Sequence, residues 1–98
     1  MTNRKWRLLS GDRVLGELSL RTIDQPFLFC DFTPHKAYAP LAGLFATEAA
    51  ALEAGDDPAW EAAEAELFAL DLVLVESNGE RIVNPLIHIN GKEAWFRY

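Results

Sequence analysis

Hydrophobic and polar residues alternate in the first part of the chain. Residues 6–9 alternate, Gly11-Asp12 follows, and residues 14–20 alternate again except at Leu15. A period of two is typical of a strand with one buried face, and glycine supplies the positive φ that a tight reversal requires. The pattern therefore predicts a β-hairpin.

The next apolar segment, residues 27–32, is hydrophobic on both faces apart from Asp31. Such a run is typical of an interior strand that is covered on both sides, or covered on one side and placed at an interface. Residues 33–40 contain two prolines and are predicted to form a connection with one short helical turn.

Helical spacing replaces alternation in the alanine-rich middle of the chain. Apolar residues recur at intervals of three or four at Leu41, Leu44, Phe45, Ala49 and Leu52. Gly55 is placed to end this helix, and Asp57 before Pro58 predicts the N-cap of a second one. The predicted buried stripe of the second helix consists of Trp60, Ala63, Leu67 and Phe68. The short linker favours an antiparallel helix pair.

Alternation resumes at residues 70–75 and continues towards the C-terminal residue, Tyr98, with two Asn-Gly pairs between the runs. Asn78-Gly79 and Asn90-Gly91 favour the type I′ turn of a β-hairpin. The whole pattern predicts a single α+β domain over residues 1–98. Its expected architecture is a single antiparallel sheet of five to seven short strands, with an antiparallel helix pair inserted mid-chain and packed on one face.

Five segments also carry the pattern of a known family: Trp6-Arg7-Leu8-Leu9, Gly16-Glu17-Leu18, Phe29-Cys30-Asp31-Phe32-x-Pro34, Leu44-Phe45 and Glu93-Ala94-Trp95-Phe96-Arg97-Tyr98. Together they resemble a family of short, uncharacterised actinobacterial proteins, and the resemblance spans most of the chain. That family has no assigned activity. The resemblance therefore implies no functional residue.

Composition and charge exclude several classes of protein. The 98 residues include one cysteine, which excludes an internal disulfide and any multi-cysteine metal site. The longest uncharged stretch, residues 37–47, is far shorter than the roughly 20 residues of a membrane-spanning helix. The net charge of −6 has the wrong sign for binding phosphate backbones. We expect a soluble, cytoplasmic protein that binds neither membranes nor nucleic acid.

The acidic residues are concentrated in the helical middle of the chain. Residues 37–80 contain ten acids and no lysine or arginine, a local charge of −10, while each flank carries +2. Glu61, Glu64 and Glu66 are predicted to face water on the second helix. This face is either simply solvated or an acidic ridge that attracts a basic partner. The absence of interspersed lysine favours keeping the second interpretation.

A second candidate surface is the open face of the sheet. Trp95 and Arg97 lie opposite residues 94, 96 and 98 in an alternating strand. Together with Val73 and Val75 they are predicted to form an exposed apolar patch, which is typical of a partner or dimer interface. The alternative is that long loops cover this face.

Candidate chemistry is confined to Cys30, Asp31 and His35, which lie within six residues of each other. Cysteine, carboxylate and histidine can form a nucleophilic site, but neighbours in a regular strand point to opposite faces, and a lone cysteine is usually a small buried hydrophobe. His35, His88 and Asp31 could supply metal ligands, but they lack paired spacing. No metal and no cofactor is predicted.

The sequence therefore favours a small non-catalytic protein-binding module. It would act through the acidic helix pair, the open face of the sheet, or both, on a basic protein partner or on a second copy of itself. An inhibitor-like or immunity-like protein is one concrete version, by analogy of size and charge. The alternative is a small-ligand binder or small enzyme with a pocket near the Phe32–Pro40 loop.

Overall fold

Three strands, a helical segment and four more strands follow one another in the computed structural model, which describes residues 4–97. The first strands are β1 (Lys5–Ser10), β2 (Arg13–Asp24) and β3 (Phe27–Pro34). A 3-10 helix (Lys36–Leu41) runs directly into α1 (Ala42–Ala54), and α2 (Asp57–Phe68) follows. The last strands are β4 (Leu72–Glu76), β5 (Arg81–Val83), β6 (Leu86–Asn90) and β7 (Glu93–Arg97).

The strands form one curled antiparallel sheet in the order β5-β4-β1-β2-β3-β7-β6. The meander β1–β3 forms its centre, β4 pairs with the free side of β1, and β7 pairs with the free side of β3. Both helices pack against this sheet, and α1 contacts the edge strand β6. The predicted α+β fold is confirmed.

The core lies between one face of the sheet and the helical segment. Its strand residues include Trp6, Leu8, Leu18, Leu28, Phe32, Leu74, Ile89 and Phe96. Trp6 and Phe96 meet edge to face, with ring centroids 5.0 Å apart. From the helical side, Tyr38 contacts Phe32 and Phe45, with centroid distances of 4.8 and 5.4 Å. Each large apolar side chain buried in this way contributes roughly 1.5–3 kcal/mol.

Leu15 breaks the predicted alternation because it is the extra residue of a β-bulge. Leu8 faces Gly16 and Leu9 faces Val14 across the β1–β2 pair, which leaves Leu15 without a cross-strand partner. The bulge turns the Leu15 side chain into the core, where 1% of it remains exposed.

Gly16, beside this bulge, is in close contact with β3. A Cβ atom at this position would lie 2.6 Å from the Phe32 ring and 2.7 Å from the carbonyl oxygen of Thr33. We therefore expect Gly16→Ala to lower the free energy of unfolding by about 1–3 kcal/mol, measured by urea denaturation. The control is Gly43→Ala in α1, where an added Cβ meets nothing within 4 Å. Gly43→Ala should stabilise the protein by up to about 1 kcal/mol, and an equal loss in both variants would contradict the packing at Gly16.

The ends of the helices differ from the prediction. Asp56, not Asp57, caps α2, because its side chain accepts a hydrogen bond from the Ala59 amide at 3.2 Å while Asp57 is already helical. Phe68 and Leu52, which were expected in the buried stripes, are 69% and 41% exposed. Their helices present these positions to solvent rather than to the sheet.

The turns also differ in part. Four residues, 77–80, connect β4 to β5, and among them Gly79 alone has positive φ (96°), so the connection is not the predicted type I′ turn. Asn90 ends β6, and Gly91 (φ 64°) begins the two-residue β6–β7 turn. Tyr98, predicted to continue the last strand, lies outside the described residues. Within residues 4–97 no helix has the length and apolar character needed to cross a membrane.

Candidate functional site

The structure sorts the ten acidic residues of the middle segment into two groups. Glu48 and Glu76 are buried and paired. The other eight lie at least partly at the surface: Glu53, Asp56, Asp57, Glu61, Glu64, Glu66, Asp71 and Glu80. None of these eight forms an ion pair with another residue of the described chain. The helix pair and the residues directly after it therefore carry negative charge that no ion pair among residues 4–97 neutralises, whereas Glu80 lies apart in the β4–β5 turn.

Glu61, Glu64 and Glu66, the acids singled out in the sequence, do not share one environment. Glu61 and Glu66 are exposed, as expected, whereas Glu64 is half-buried. It lies on the same helical stripe as Trp60 and Leu67, which faces the rest of the molecule. Burial raises the pKa of the Glu64 carboxyl, the nearby Glu48 carboxylate raises it further, and His88 opposes the shift.

A small cavity opens beside Glu64, between α2 and the segment that leads into β6. Its volume is about 90 Å³. The cavity is lined by Glu64, Leu67, Phe68, Leu72, Asn84, Pro85, Leu86 and Ile87. Leu67, Leu72 and Ile87 are buried, whereas Phe68 and Asn84 are exposed. The site combines apolar walls, one carboxylate and an exposed aromatic ring.

The sequence analysis missed a buried polar network that joins α1, α2 and β6. Glu48 is fully buried, and its Oε2 atom lies 2.8 Å from Nδ1 of His88, which is 3% exposed. The indole N–H of Trp60 donates to the same carboxylate oxygen at 2.6 Å. An ionised carboxylate only accepts hydrogen bonds, and with Glu48 in that state Nδ1 of His88 is the donor to it. The network fixes the helix pair to the edge of the sheet.

A histidine oriented by a carboxylate is also the arrangement of many general bases. General-base chemistry further requires space for a substrate at the second ring nitrogen. The three main cavities of the described residues are lined by other side chains. The rings of Phe27 and Trp95 approach the imidazole instead, with centroid distances of 6.5 and 5.4 Å. The geometry therefore fits a structural role for His88.

On the open face of the sheet, the residues of the predicted apolar patch do not lie next to each other. Trp95 is half-buried and stacks on Phe29 with a centroid distance of 6.3 Å, and Arg97 is exposed. Val73 and Val75 lie on β4, which β1, β2 and β3 separate from β7. Because charged side chains occupy these intervening strands, the two apolar groups form separate areas.

Cys30, Asp31 and His35 do not converge on one site. Cys30 is 1% exposed in the core, and burial, together with the Asp31 charge, raises the pKa of its thiol to about 12. Asp31 is exposed and lies 3.5 Å from Arg21. His35 lies 2.8 Å from the carboxylate of Glu17, and this hydrogen bond lowers the pKa of that carboxyl. A buried thiol with a raised pKa is a poor nucleophile.

A cavity does exist at the loop where an alternative pocket was predicted. It measures about 620 Å³ and is lined by Pro34, His35, Lys36, Tyr38, Ala39, Ala42, Ala46, Ile89 and Gly91. Of the three residues proposed for that pocket, it contains only His35. No group of three His, Cys, Asp or Glu side chains within residues 4–97 is arranged to hold a metal ion.

Comparison of the chain with protein-family models, with curated proteins and with solved structures finds no match. The α+β class by itself hosts many unrelated activities and does not define one.

Proposed function

We propose that this protein is a non-catalytic binding module whose acidic helix pair binds a basic region of a partner protein. The observation that carries the proposal is a group of carboxylates on, between and directly after α1 and α2 that have no cationic partner in the described structure: Glu53, Asp56, Asp57, Glu61, Glu64, Glu66 and Asp71. A surface of one sign steers an oppositely charged partner and raises the rate of encounter. A basic partner would also relieve the repulsion among these carboxylates.

Exposed hydrophobic side chains on the same helices favour a role in binding a partner rather than a role in solubility alone. Leu52 on α1 and Phe68 on α2 are 41% and 69% exposed. A face that only kept the protein in solution would not need large apolar groups among its charges. Stable interfaces, in contrast, combine apolar and aromatic contacts with a charged rim.

The concrete version that we propose is an inhibitor-like or immunity-like protein that occupies a basic site on its partner. Self-association through the helix pair is disfavoured, because two copies would bring carboxylates against carboxylates. We place the interaction in the cytoplasm, where the single thiol of Cys30 stays reduced.

A capture experiment tests this proposal. Wild-type protein, tagged at its N-terminus, should capture a basic protein from native lysate at low salt and release it at high salt, because screening weakens attraction between exposed charges. Glu61→Lys/Glu66→Lys should reduce capture by about tenfold or more. The matched control is Asp24→Lys/Glu80→Lys, which makes the same charge change at exposed positions of the β2–β3 and β4–β5 hairpins.

Two results would contradict the proposal. One is equal capture of the same protein by the helix variant and its control. The other is capture by the wild type that persists unchanged at high salt.

A second candidate function rests on the cavity near the Phe32–Pro40 loop. Its volume of about 620 Å³ lies within the roughly 300–1,000 Å³ typical of small-molecule sites. Tyr38 supplies a buried aromatic wall, and His35 and Lys36 lie at the lining, so a small apolar molecule with an acidic group fits the chemistry.

Thermal-shift screening of small carboxylic acids separates this candidate from the first. A ligand of this cavity should raise the Tm of the wild-type protein but not that of Ala46→Trp, which fills the cavity. The control, Ala62→Trp, adds the same side chain at an exposed position of α2. A ligand that stabilised Ala46→Trp as much as the wild type would exclude this cavity as its site.

A further inference from the structure

We infer that the small cavity beside Glu64 binds the side chain of a single arginine from the partner protein. This inference rests on the proposed function and names the contact that gives the acidic surface its specificity. Three features of the cavity favour an arginine side chain: apolar walls, a carboxylate and an exposed aromatic ring.

The geometry of α2 places the carboxylate and the ring side by side. Glu64 and Phe68 are four residues apart in the helix, so their Cβ atoms lie about 5–6 Å from each other. A guanidinium group can pair with a carboxylate through two parallel hydrogen bonds and can stack on an aromatic face. The neighbouring pair therefore offers both contacts to one arginine.

The partly buried environment of the Glu64 carboxylate favours binding of a cation. Its carboxylate is half-buried, lies near Glu48, whose charge disfavours its ionisation, and near His88, which opposes that effect, and it forms no ion pair within the described residues. A partly desolvated anion without a counterion gains more from a bound cation than a fully hydrated surface carboxylate does. Glu61 and Glu66, which are exposed on the same helix, lack this enclosure.

The size and walls of the cavity exclude larger occupants and favour arginine over lysine. About 90 Å³ is well below the roughly 300 Å³ at which small-molecule pockets begin. The apolar surface of Leu67 and Pro85 suits the aliphatic stem of a long side chain. The planar guanidinium is weakly hydrated and stacks on rings, whereas the compact ammonium of lysine retains its water.

Three matched peptides test the inference. Each is a short blocked peptide with lysines at both ends and, at its centre, arginine, lysine or the neutral isostere citrulline. The flanking lysines probe attraction to the acidic surface as a whole, and the central residue probes the cavity. Binding to isotope-labelled protein is followed at low salt by NMR, through backbone amides and the side-chain carboxyl of Glu64.

We expect the arginine peptide to bind about tenfold more tightly than the citrulline peptide, to bind more tightly than the equally charged lysine peptide, and to shift the signals of Glu64, Phe68 and Leu86. The pKa of the Glu64 carboxyl should fall towards its ordinary value when this peptide is bound. Glu64→Gln and Phe68→Ala should each remove the preference for arginine, whereas Glu61→Gln should keep it. All three variants change surface or half-exposed positions, and their amide spectra verify the fold.

The failures of the inference and of the proposed function are distinguishable. Equal binding of the arginine and lysine peptides, abolished by Glu61→Lys/Glu66→Lys, would overturn the arginine site and leave the acidic binding surface intact. Absence of binding by all three peptides would overturn both. A preference for arginine that Glu64→Gln leaves unchanged would place the arginine elsewhere and overturn the inference alone.

Discussion

Glu48→Ala is expected to lower the free energy of unfolding by about 3–5 kcal/mol, because it removes one partner of a buried, hydrogen-bonded pair. The substitution leaves His88, 3% exposed, without the carboxylate that accepts from its Nδ1 atom, and it removes the acceptor of the Trp60 indole N–H. Both groups would then remain in an environment from which water is largely excluded. Urea denaturation at neutral pH measures the effect.

The control for this variant is Glu53→Ala, on the same helix but exposed and unpaired. It should change stability by less than about 0.5 kcal/mol. A double-mutant cycle adds a sharper test: Glu48→Leu/His88→Leu should cost less than Glu48→Leu alone, because the imidazole of His88 is then no longer left buried without its partner, while the Trp60 indole N–H loses its acceptor in both variants. Equal losses for Glu48→Ala and Glu53→Ala would show that the pair does not hold α1 on the sheet.

Phe45→Ala is the second substitution with a large expected effect, a loss of about 3–5 kcal/mol. Phe45 is fully buried and is the main aromatic residue by which α1 enters the core, where its ring lies 5.4 Å from that of Tyr38. Truncation removes buried apolar surface and leaves a cavity that the neighbouring rings fill only in part. Thermal and urea denaturation should agree on the loss.

Phe68→Ala is the matched control for this truncation, since it removes the same ring from an exposed position of α2. Its stability should stay within about 0.5 kcal/mol of the wild type. If Phe68→Ala destabilised the protein as much as Phe45→Ala, the ring of Phe68 would be part of the core and not available to a partner.

The class of fold was predictable because local signals and tertiary structure agree in most of the chain. Alternation marks the faces of β1, β2 and β4, and glycine stands at the turns where positive φ is required. The bulge at Leu15 was visible only as a break in the period. Sequence alone could not assign it, because the register of β1 against β2 decides which residue is unpaired.

The Glu48–His88 contact shows where sequence reasoning reached its limit. Glu48 occupies a helical position beside Phe45 and Ala49, and His88 stands between two isoleucines, so each is a polar residue in an apolar context. Together these two anomalies could have indicated a pair of buried polar residues. Their pairing was not predictable, however, because the residues are 40 apart in the chain and meet only when β6 joins the sheet next to β7.

The strand order likewise could not be deduced from the pattern of hydrophobic residues. Val73, Val75 and Trp95 were correctly assigned to one face of the sheet, but three strands separate β4 from β7. The sequence therefore predicted the faces correctly and the extent of the apolar patch wrongly. Glu64 was misplaced for a related reason, because its burial depends on the approach of the segment before β6.

The affinity of the purified protein for its captured partner, measured by calorimetry over a range of salt concentrations, tests the proposed function most directly. The acidic helix pair predicts that the Kd rises steeply with salt, and that Glu61→Lys/Glu66→Lys weakens binding while Asp24→Lys/Glu80→Lys does not. A Kd that is independent of salt and the same for both variants would contradict binding through this surface.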